Sequence, residues 1–283
     1  MTHPDTTRQS RAAWAEAAVA EHDPEHAGLH AQPGSAHTSR EQLVLERIER
    51  ARRARPRVRE KLITLAHGAG GKASQSLIEA IFLDAFRNPL LEPLEDAASL
   101  TAGATRLAFT TDSYVVSPLF FPGGNIGDLA VNGTVNDLAV SGAQPAHLSA
   151  GFILEEGFPV DDLRRIVASM AAAAEAAGVS IVTGDTKVVQ RGKADGCYIN
   201  TAGVGMITGD LMLGAATVRP GDVVIVSGPV GEHGMTVMLA RGELDIDADL
   251  VSDTAPVHGL VRGLLDAVGS GVRAMRDATR GGV

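Results

Sequence analysis

Three short acidic motifs contain the residue types that magnesium and phosphate chemistry require. They are Thr111-Asp112-Ser113, Asn136-Asp137 and Gly184-Asp185-Thr186-Lys187. Each lies beside a run of β-branched or small apolar residues, which predicts a loop at the edge of a folded core. Carboxylates so far apart in the chain can meet only through the tertiary fold, where they would form the hard-oxygen site that Mg²⁺ prefers. The motifs therefore predict ATP chemistry without the usual phosphate-binding loop.

The first two motifs also have a purely structural interpretation. Asp112 follows a predicted strand, where an aspartate commonly serves as a turn residue or a helix cap. Asp128, Asn132 and Asn136 recur every fourth residue along one stripe of a predicted helix, and Asp137 lies on another face of it. The alternative for this stripe is a polar face in contact with solvent.

The third motif joins a carboxylate and an amine just after a predicted buried strand. Asp185 suits a metal ion, and Lys187 suits a polyphosphate or a negative charge that develops during a reaction. The alternative is an ion pair exposed on the surface.

A glycine-rich segment, residues 67–72, is a candidate phosphate cradle. Its glycines would let backbone N–H groups approach an anion, and the helix predicted to follow would add a favourable dipole. The segment is not a Walker A loop, because Ala66 stands where the first glycine should be and Ala73 replaces the metal-binding Ser or Thr. A structural turn before a helix is the alternative.

The apolar periodicity predicts the strands and helices that would position these motifs. The predicted strands cover residues 62–65, 106–116 (interrupted at Asp112), 147–154, 179–182, 198–207, 223–227 and 272–275. The predicted helices cover residues 73–86, 126–142, 160–177, 232–241 and 256–268. This alternation indicates an α/β (α+β) fold, with a mixed sheet and flanking helices in an N-terminal ATP-binding domain and an α/β domain after it.

The domain boundaries follow from composition and from turns. We expect an extension over residues 1–60 that is disordered and then charged, a first domain over 61–216 and a partial domain over 217–283. Residues 277–283 resemble a strand leading into the glycine turn that opens a helix, but no helix follows. We therefore expect a C-terminally truncated chain with an incomplete second domain.

Composition narrows the class of protein. The chain has 283 residues and a formal charge of −9, although residues 40–61 hold nine Lys or Arg against four Glu. An acidic body argues against nucleic-acid binding, and the alanine-rich stretch 166–182 is interrupted by polar residues, which argues against a membrane span. The single cysteine, Cys197, excludes an internal disulfide framework and favours the cytoplasm; its apolar strand makes it a core residue rather than a nucleophile.

Taken in order, these segments resemble the HypE family of hydrogenase maturation factors, over about residues 62–283. The wider superfamily includes aminoimidazole ribonucleotide synthetase and selenophosphate synthetase. The resemblance is carried by Leu65-Ala66-His67-Gly68-Ala69-Gly70-Gly71-Lys72, Phe109-Thr110-Thr111-Asp112-Ser113-Tyr114-Val115, Pro118-Leu119-Phe120-Phe121-Pro122-Gly123-Gly124-Asn125-Ile126-Gly127, Asn136-Asp137-Leu138-Ala139-Val140-Ser141-Gly142-Ala143, Gly151-Phe152-Ile153-Leu154-Glu155-Glu156-Gly157, Thr183-Gly184-Asp185-Thr186-Lys187-Val188-Val189 and Asp277-Ala278-Thr279-Arg280-Gly281-Gly282-Val283.

The resemblance implies a reaction and its partners. The family's first domain dimerises through its sheet, which implies a homodimer, and it binds ATP and Mg²⁺ between the domains. A carbamoyl group arrives from a HypF-like carbamoyltransferase on a C-terminal cysteine, and ATP is used to dehydrate the thiocarboxamide to a thiocyanate. The cyanide then passes to iron on the HypC–HypD complex, for [NiFe] hydrogenase.

By motif position, the resemblance also implies the site residues. The metal ligands would be Asp112, Asp137 and Asp185, and the catalytic residue would be Lys187. The nucleotide would contact Gly68, Gly70, Gly71, Lys72, Asn136 and Thr186.

Two other functions stay open on the residues alone. A selenophosphate synthetase-like enzyme is disfavoured because His67 and Gly68 stand where a reactive cysteine would be. A non-catalytic, dimerising partner of the maturation complex is the other alternative, because the family's acceptor cysteine is absent from this sequence.

Overall fold

A five-stranded mixed sheet with helices on one face forms the centre of the protein. The computed structural model describes residue 58, residues 60–243 and residues 248–279, all within one compact unit, Arg55–Val283. The strands are β1 (Ala98–Ala102), β2 (Thr105–Tyr114), β3 (Phe120–Phe121), β4 (Gly124–Asn125), β5 (Ala143–Glu155), β6 (Ser180–Val189) and β7 (Cys197–Ile207). The helices are α1 (Lys72–Leu77), α2 (Leu83–Phe86), α3 (Ile126–Val140), α4 (Val160–Ala177), α5 (Glu232–Ala240) and α6 (His258–Val268).

The sheet order is β1-β2-β7-β5-β6, and β3 pairs only with β4. Neighbouring strands of the large sheet are antiparallel except β5 and β6, which are parallel. Parallel strands need a long crossover connection, and α4 provides it here. The predicted α/β class with a mixed sheet and flanking helices is confirmed.

One face of the sheet is packed under α3, and no described element covers the other face. Alternate residues of β7 are buried, from Cys197 to Ile207, and their neighbours are partly or fully exposed. The core between helix and sheet includes Ile126, Leu138 and Ile199. Gly203 allows the helix to come this close, because a methyl group there would lie 2.8–2.9 Å from side chains of α3 and β5.

Local sequence explains where the two long helices begin and end. At α3 the Asn125 side chain accepts a hydrogen bond from the Gly127 N–H, and the Asp128 carboxylate accepts one from the Asn125 N–H at 2.6 Å. This capping box satisfies backbone donors that a helix start leaves without partners. Helix α4 follows Pro159 and stops at Gly178, whose φ of 66° is left-handed.

Three predicted strands do not form. The Thr64–Leu65 region leads into a 3₁₀ turn, Leu65–Gly68, and residues 223–227 and 272–275 pair with no strand among the described residues. Val223, Val224 and Ile225 are instead 78–84% exposed. An apolar run becomes a strand only where another strand offers its backbone groups, and periodicity alone cannot show that partner.

The remaining fold predictions divide into confirmed and untested ones. Helices were predicted where α3, α4, α5 and α6 lie, and one was predicted over 73–86, where α1 and α2 are joined by a π-helical turn, Ile78–Phe82. The predictions for residues 1–57 lie outside the described residues, and the boundary between residues 216 and 217 stays a prediction. Within the described ranges, no helix is long and apolar enough to cross a membrane.

Candidate functional site

The three acidic motifs lie inside regular elements, so the prediction of loops is wrong, while the helix predicted around Asn136 and Asp137 is confirmed. Asp112 pairs with Thr201 within β2 and β7, Asn136 and Asp137 belong to α3, and Asp185 pairs with Gly151 within β6 and β5. Backbone ladders continue on both sides of Asp112 and Asp185. A polar residue in a strand need not interrupt it, because the side chain leaves the ladder intact.

Asp112 and Asp137 meet beneath α3. Thr110, Asp112 and Tyr114 alternate along β2 onto the face that α3 covers. The Thr110 hydroxyl donates a hydrogen bond to Asp137 Oδ2 at 3.0 Å. The negative charge of Asp112 acts on Asp137 as well. The structure therefore brings together two of the three predicted metal ligands.

These carboxylates belong to a larger acidic cluster, which we define as Asp96, Asp112, Asp137 and Asp277. Burial raises the pKa of Asp137 to about 7; the Thr110 hydrogen bond opposes this, while Asp112, Asp96 and Asp277 raise the pKa further. Burial also raises the pKa of Asp96, opposed first by Arg276, whose guanidinium lies 3.5 Å from its Oδ1. Crowded, partly buried carboxylates hold their protons in this way until a cation approaches.

The pair Asp112 and Asp137 fits a magnesium ion that is bound with a nucleotide. Mg²⁺ usually takes one or two protein carboxylates and completes its shell with substrate phosphates and water. Within the part of the chain that the structure describes, no three His, Cys, Asp or Glu side chains are grouped so that they could hold a metal ion by themselves. The donor chemistry suits a shared metal rather than an all-protein cage.

Asp185 lies apart from the acidic cluster. Ser113, Asn200, Gly151 and Asp185 are aligned across four adjacent strands, so Asp185 lies on the face opposite Asp112. Three strand spacings separate it from β2, about 14 Å. The chain by itself does not bring Asp185 to the pair Asp112 and Asp137, and its predicted metal role stays a prediction.

Asp185 and Lys187 form an exposed ion pair. Lys187 Nζ lies 2.6 Å from Asp185 Oδ2. The Lys187 hydrogen bond, followed by a backbone hydrogen bond from Thr186, holds the pKa of Asp185 below its usual value. Both side chains are on the uncovered face, in line with Gly151 and Ile153 of β5.

An open depression of about 600 Å³ lies along β5 and β6. Ala150, Phe152 and residues 181–186 line it, so Thr186, a predicted nucleotide contact, borders it. Gly184 allows β6 to pass close to β5 here, because a methyl group at this position would overlap the Ala150 carbonyl oxygen. The depression has room for a ligand beside the third motif.

The glycine-rich segment is braced by its own side chains. The buried His67 accepts a hydrogen bond from the Thr64 N–H at Nδ1, at 3.0 Å. The Ser74 hydroxyl accepts one from the Gly70 N–H at 2.9 Å and donates to the Ala66 carbonyl. This N–H of Gly70 already has a partner.

The other predicted loop residues remain accessible. Gly68, Gly71 and Lys72 are exposed, and a methyl group at either glycine would meet nothing within 4 Å. These positions leave room for a ligand to lie against the backbone.

Asn136 has a different partner from the one the sequence predicts. Its Nδ2 donates to the Ala255 carbonyl at 3.0 Å, and its Oδ1 accepts from the Val257 N–H at 2.8 Å. One turn earlier, Asn132 Nδ2 contacts the Thr254 hydroxyl at 3.3 Å. Asn132 and Asn136 on the stripe therefore bind the segment of residues 252–257 rather than solvent, and the nucleotide contact of Asn136 stays a prediction.

Sequence reasoning missed three members of the site. Thr110 is two residues before Asp112, the strand period that places both on one face. Asp277 belongs to the segment of residues 277–283 that carries the resemblance, but no role was predicted for it. No feature of the sequence pointed to Asp96. The docking function of the asparagines could have been suspected from their amides, since each offers both a donor and an acceptor to a backbone.

Two models of known protein families match this chain. Residues 94–207 match the model "AIR synthase related protein, N-terminal domain", and residues 219–283 match "AIR synthase related protein, C-terminal domain". The chain is 56% identical over 226 residues to carbamoyl dehydratase HypE of Escherichia coli (strain K12), covering 78% of this chain and 67% of that protein. This chain belongs to the HypE family of carbamoyl dehydratases.

Other HypE proteins show the same relation. Identity is 57% over 221 residues with HypE of Rhizobium leguminosarum bv. viciae, covering 78% of this chain but only 63% of the relative, so the chain spans less than two thirds of that length. A HypE–HypF complex matches with 51% identity and a TM-score of 0.69, over 73% of this chain and 67% of that one. A HypE structure in complex with ATP matches with 50% identity and a TM-score of 0.60, over 77% and 64%.

The cysteine of this HypE-family chain is part of the core. Cys197 is fully buried in β7, and burial raises the pKa of its thiol to about 11. A thiol in this state is neither ionised at neutral pH nor accessible to a substrate. The prediction of a core residue rather than a nucleophile is confirmed.

Proposed function

We propose that this HypE-family chain binds Mg²⁺ and ATP and serves the dehydration of a cysteine-bound thiocarboxamide to a thiocyanate. The observation that carries the proposal is the closeness of Asp112 to Asp137 beneath α3, where burial raises the pKa of Asp137 to about 7 and the charge of Asp112 raises it further. A divalent cation would relieve that repulsion. A HypE protein of 50% identity has been crystallised with ATP, which supports the nucleotide.

The chemistry explains the need for ATP. An amide oxygen is a poor leaving group, and ATP supplies a phosphoryl group that allows this oxygen to leave as phosphate. In balance, the thiocarboxamide and ATP give the thiocyanate, ADP, hydrogen phosphate and one proton. The protein's part is then mainly to position the reactants and to neutralise charge.

Each named residue has one task in this proposal. Asp112 and Asp137 would hold Mg²⁺, and Lys187 would neutralise charge on phosphate or on the activated carboxamide. The segment with Gly68, Gly70, Gly71 and Lys72 would lie over the nucleotide. Thr186 would contact the nucleotide from the depression. Asn136 would act by docking residues 252–257 beside Asp137.

A homodimer would form through the uncovered sheet face. Phe109, Ile153 and Met206 are 43–49% exposed on this face, and such apolar surface favours association. Asp185 and Lys187 are on the same face, so any contribution of either residue to the metal or to the phosphates requires a second copy or a rearranged strand.

The partners would be a HypF-like carbamoyltransferase, which provides the carbamoyl group, and a HypC–HypD complex, which receives cyanide for the iron of [NiFe] hydrogenase. The complex of a 51% identical HypE with HypF supports the first partner. The thiol that carries the carbamoyl group is not Cys197, since that thiol is buried. The reaction would take place in the cytoplasm.

The test supplies the substrate in trans. The chain is incubated with Mg²⁺, ATP and a peptide that carries S-carbamoylcysteine, and mass spectrometry follows the peptide while released phosphate is assayed. We expect the peptide to lose one water for each phosphate released, and Lys187→Met to stop this reaction. Binding of ATP without loss of water would favour the non-catalytic partner function, and absence of Mg²⁺-dependent ATP binding would refute the proposal.

Mixing variants tests the second copy. Asp137→Asn and Asp185→Asn chains are mixed in equal amounts and the Mg²⁺-ATP affinity of the mixture is measured. If sites are completed across the dimer, heterodimers hold one intact site each and a fraction of tight binding returns. If no tight binding returns, Asp185 does not act across the dimer.

A further inference from the structure

The phenol of Tyr114 lies beside the Asp112 carboxylate. Tyr114 ends β2, two residues after Asp112 and on the same face of the strand. It is only 7% exposed. Its hydroxyl makes a hydrogen bond with the Asp112 side chain and lies 3.4 Å from the Thr134 hydroxyl of α3.

The direction of the hydrogen bonds can be worked out by counting hydrogens. The Thr201 hydroxyl donates its hydrogen to the Ala130 carbonyl at 3.0 Å. The contact of 2.5 Å between the Thr134 and Thr201 hydroxyls must therefore use the hydrogen of Thr134. Each hydroxyl has one hydrogen, so Tyr114 alone can donate toward Asp112 or Thr134. A carboxylate is the stronger acceptor, and the phenol donates to Asp112.

The phenol occupies a space that the sequence keeps open. A methyl group on Gly133 would overlap the Tyr114 hydroxyl oxygen and crowd the ring. Gly133 is in the middle of α3, where glycine is unfavourable by about 1 kcal/mol relative to alanine. The close approach of the phenol is a physical reason for glycine at this position.

Two hydroxyls thus support the two carboxylates, one each. The Thr110 hydroxyl shares its hydrogen between the Asp96 carbonyl at 2.9 Å and Asp137 Oδ2 at 3.0 Å, and Tyr114 donates to Asp112. The ring, fixed by its surroundings, is a rigid donor.

We propose that Tyr114 is a positioning residue for the metal: its phenol orients the Asp112 carboxylate so that one oxygen faces Mg²⁺. This rests on the proposed function, in which Asp112 is a metal ligand. Partners behind a ligand fix its orientation, and their loss typically costs 10–100-fold in metal affinity.

The test compares two tyrosines that make the same bond. Tyr198 donates to Asp195 Oδ2 at 3.0 Å on the protein surface, so Tyr198→Phe is the matched control for Tyr114→Phe. Calorimetry measures ATP affinity with Mg²⁺ and with EDTA, and the ratio is the metal-dependent gain. We expect Tyr114→Phe to lower this gain about tenfold, with ATP affinity in EDTA and the gain of Tyr198→Phe unchanged. An unchanged gain in a folded Tyr114→Phe chain overturns the proposal.

A second measurement does not depend on that variant folding. The chain has two tyrosines, so Tyr198→Phe leaves Tyr114 as the sole source of the tyrosine doublet in ultraviolet resonance Raman spectra, which reports whether a phenol donates or accepts. We expect a strong-donor signature that weakens when Asp112→Ala is added. The same doublet in both proteins overturns the proposal.

The metal site and the role of Tyr114 can be disproved separately. If Asp112→Ala keeps the full metal-dependent gain in ATP affinity, Asp112 is not a ligand and the proposed metal site is wrong. If Asp112→Ala loses the gain while Tyr114→Phe keeps it, the metal site stands and the role of Tyr114 is wrong.

Discussion

The acidic cluster beneath α3 and the ion pair on β6 place the same side chain in two opposite environments. Asp137 is partly buried among Asp96, Asp112 and Asp277, and its pKa rises to about 7. Asp185 is exposed beside Lys187, and its pKa falls. In sequence the two motifs look alike, each an aspartate next to apolar residues. Burial and neighbouring charge, not residue type, decide whether the pKa of an aspartate rises or falls.

The largest expected effect comes from removing the charge of the partly buried Asp137. Asp137→Asn keeps the shape of the side chain but removes its charge, so the metal loses one of two proposed ligands. We expect the Mg²⁺-dependent gain in ATP affinity to fall by at least about a hundredfold, since loss of a mere supporting group costs up to that much. Calorimetry with Mg²⁺ and with EDTA measures it, and an unchanged gain would contradict the metal assignment.

The pH dependence of stability should also separate the two carboxylates. Because the folded-state pKa of Asp137 is raised above its ordinary 3.8 to about 7, the folded state binds this proton more tightly than the unfolded state. The free energy of unfolding should therefore fall by an amount on the order of a few kcal/mol as pH rises from about 4 to 7 without Mg²⁺.

Denaturant titrations across this pH range check the slope. In Asp137→Asn the slope should be clearly smaller, because the titrating group is gone. The lowered pKa of Asp185 gives the opposite sign: its contribution is present above the ordinary pKa and is lost as pH falls. An equal slope in wild type and Asp137→Asn would show that Asp137 does not titrate in this range.

Asn136, next to Asp137, allows a sharper test within the helix. Asn136→Ala removes two hydrogen bonds to the segment of residues 252–257. We expect a loss of about 1–3 kcal/mol in the free energy of unfolding, with faster hydrogen exchange in that segment. ATP affinity in EDTA and the metal-dependent gain should change far less than in Asp137→Asn. Equal losses of metal-dependent binding in both would mean that Asn136 serves the nucleotide directly.

The smallest expected effect concerns the exposed ion pair of Asp185 and Lys187. Asp185→Asn removes a surface ion pair, and exposed pairs add little to stability. We expect an unchanged melting temperature without ligand, measured by calorimetry. A clearly lower melting temperature would show that the pair is structural and would weaken the proposed role of Lys187 in charge neutralisation.

The sequence predicts helices better than it predicts the site. Helix α4 has the predicted bounds, because Pro159 and Gly178 mark its ends in the chain itself. The predicted strand over 179–182 is longer in the structure, through Val189, because its pairing with β5 carries Asp185 and Lys187 into the ladder. Residues 223–227 show the reverse. They were predicted as a strand, but they have no neighbouring strand among the described residues and do not pair.

The candidate site is predictable only in part for the same reason. The motifs identified Asp112 and Asp137 by residue type. That they meet depends on strand parity and on the packing of α3 over β2, which brings Thr110 to Asp137. The contact of Asn136 with Ala255, more than a hundred residues away, has no local signal at all.

The most direct test of the metal assignment locates the cation. Crystals of the chain grown with Mn²⁺ in place of Mg²⁺ and a non-hydrolysable ATP analogue give an anomalous difference map. The account predicts a peak in contact with the carboxylates of both Asp112 and Asp137, bridged to the nucleotide phosphates. A peak at Asp185 that leaves Asp137 without metal, or nucleotide bound with no peak at the acidic cluster, would contradict it.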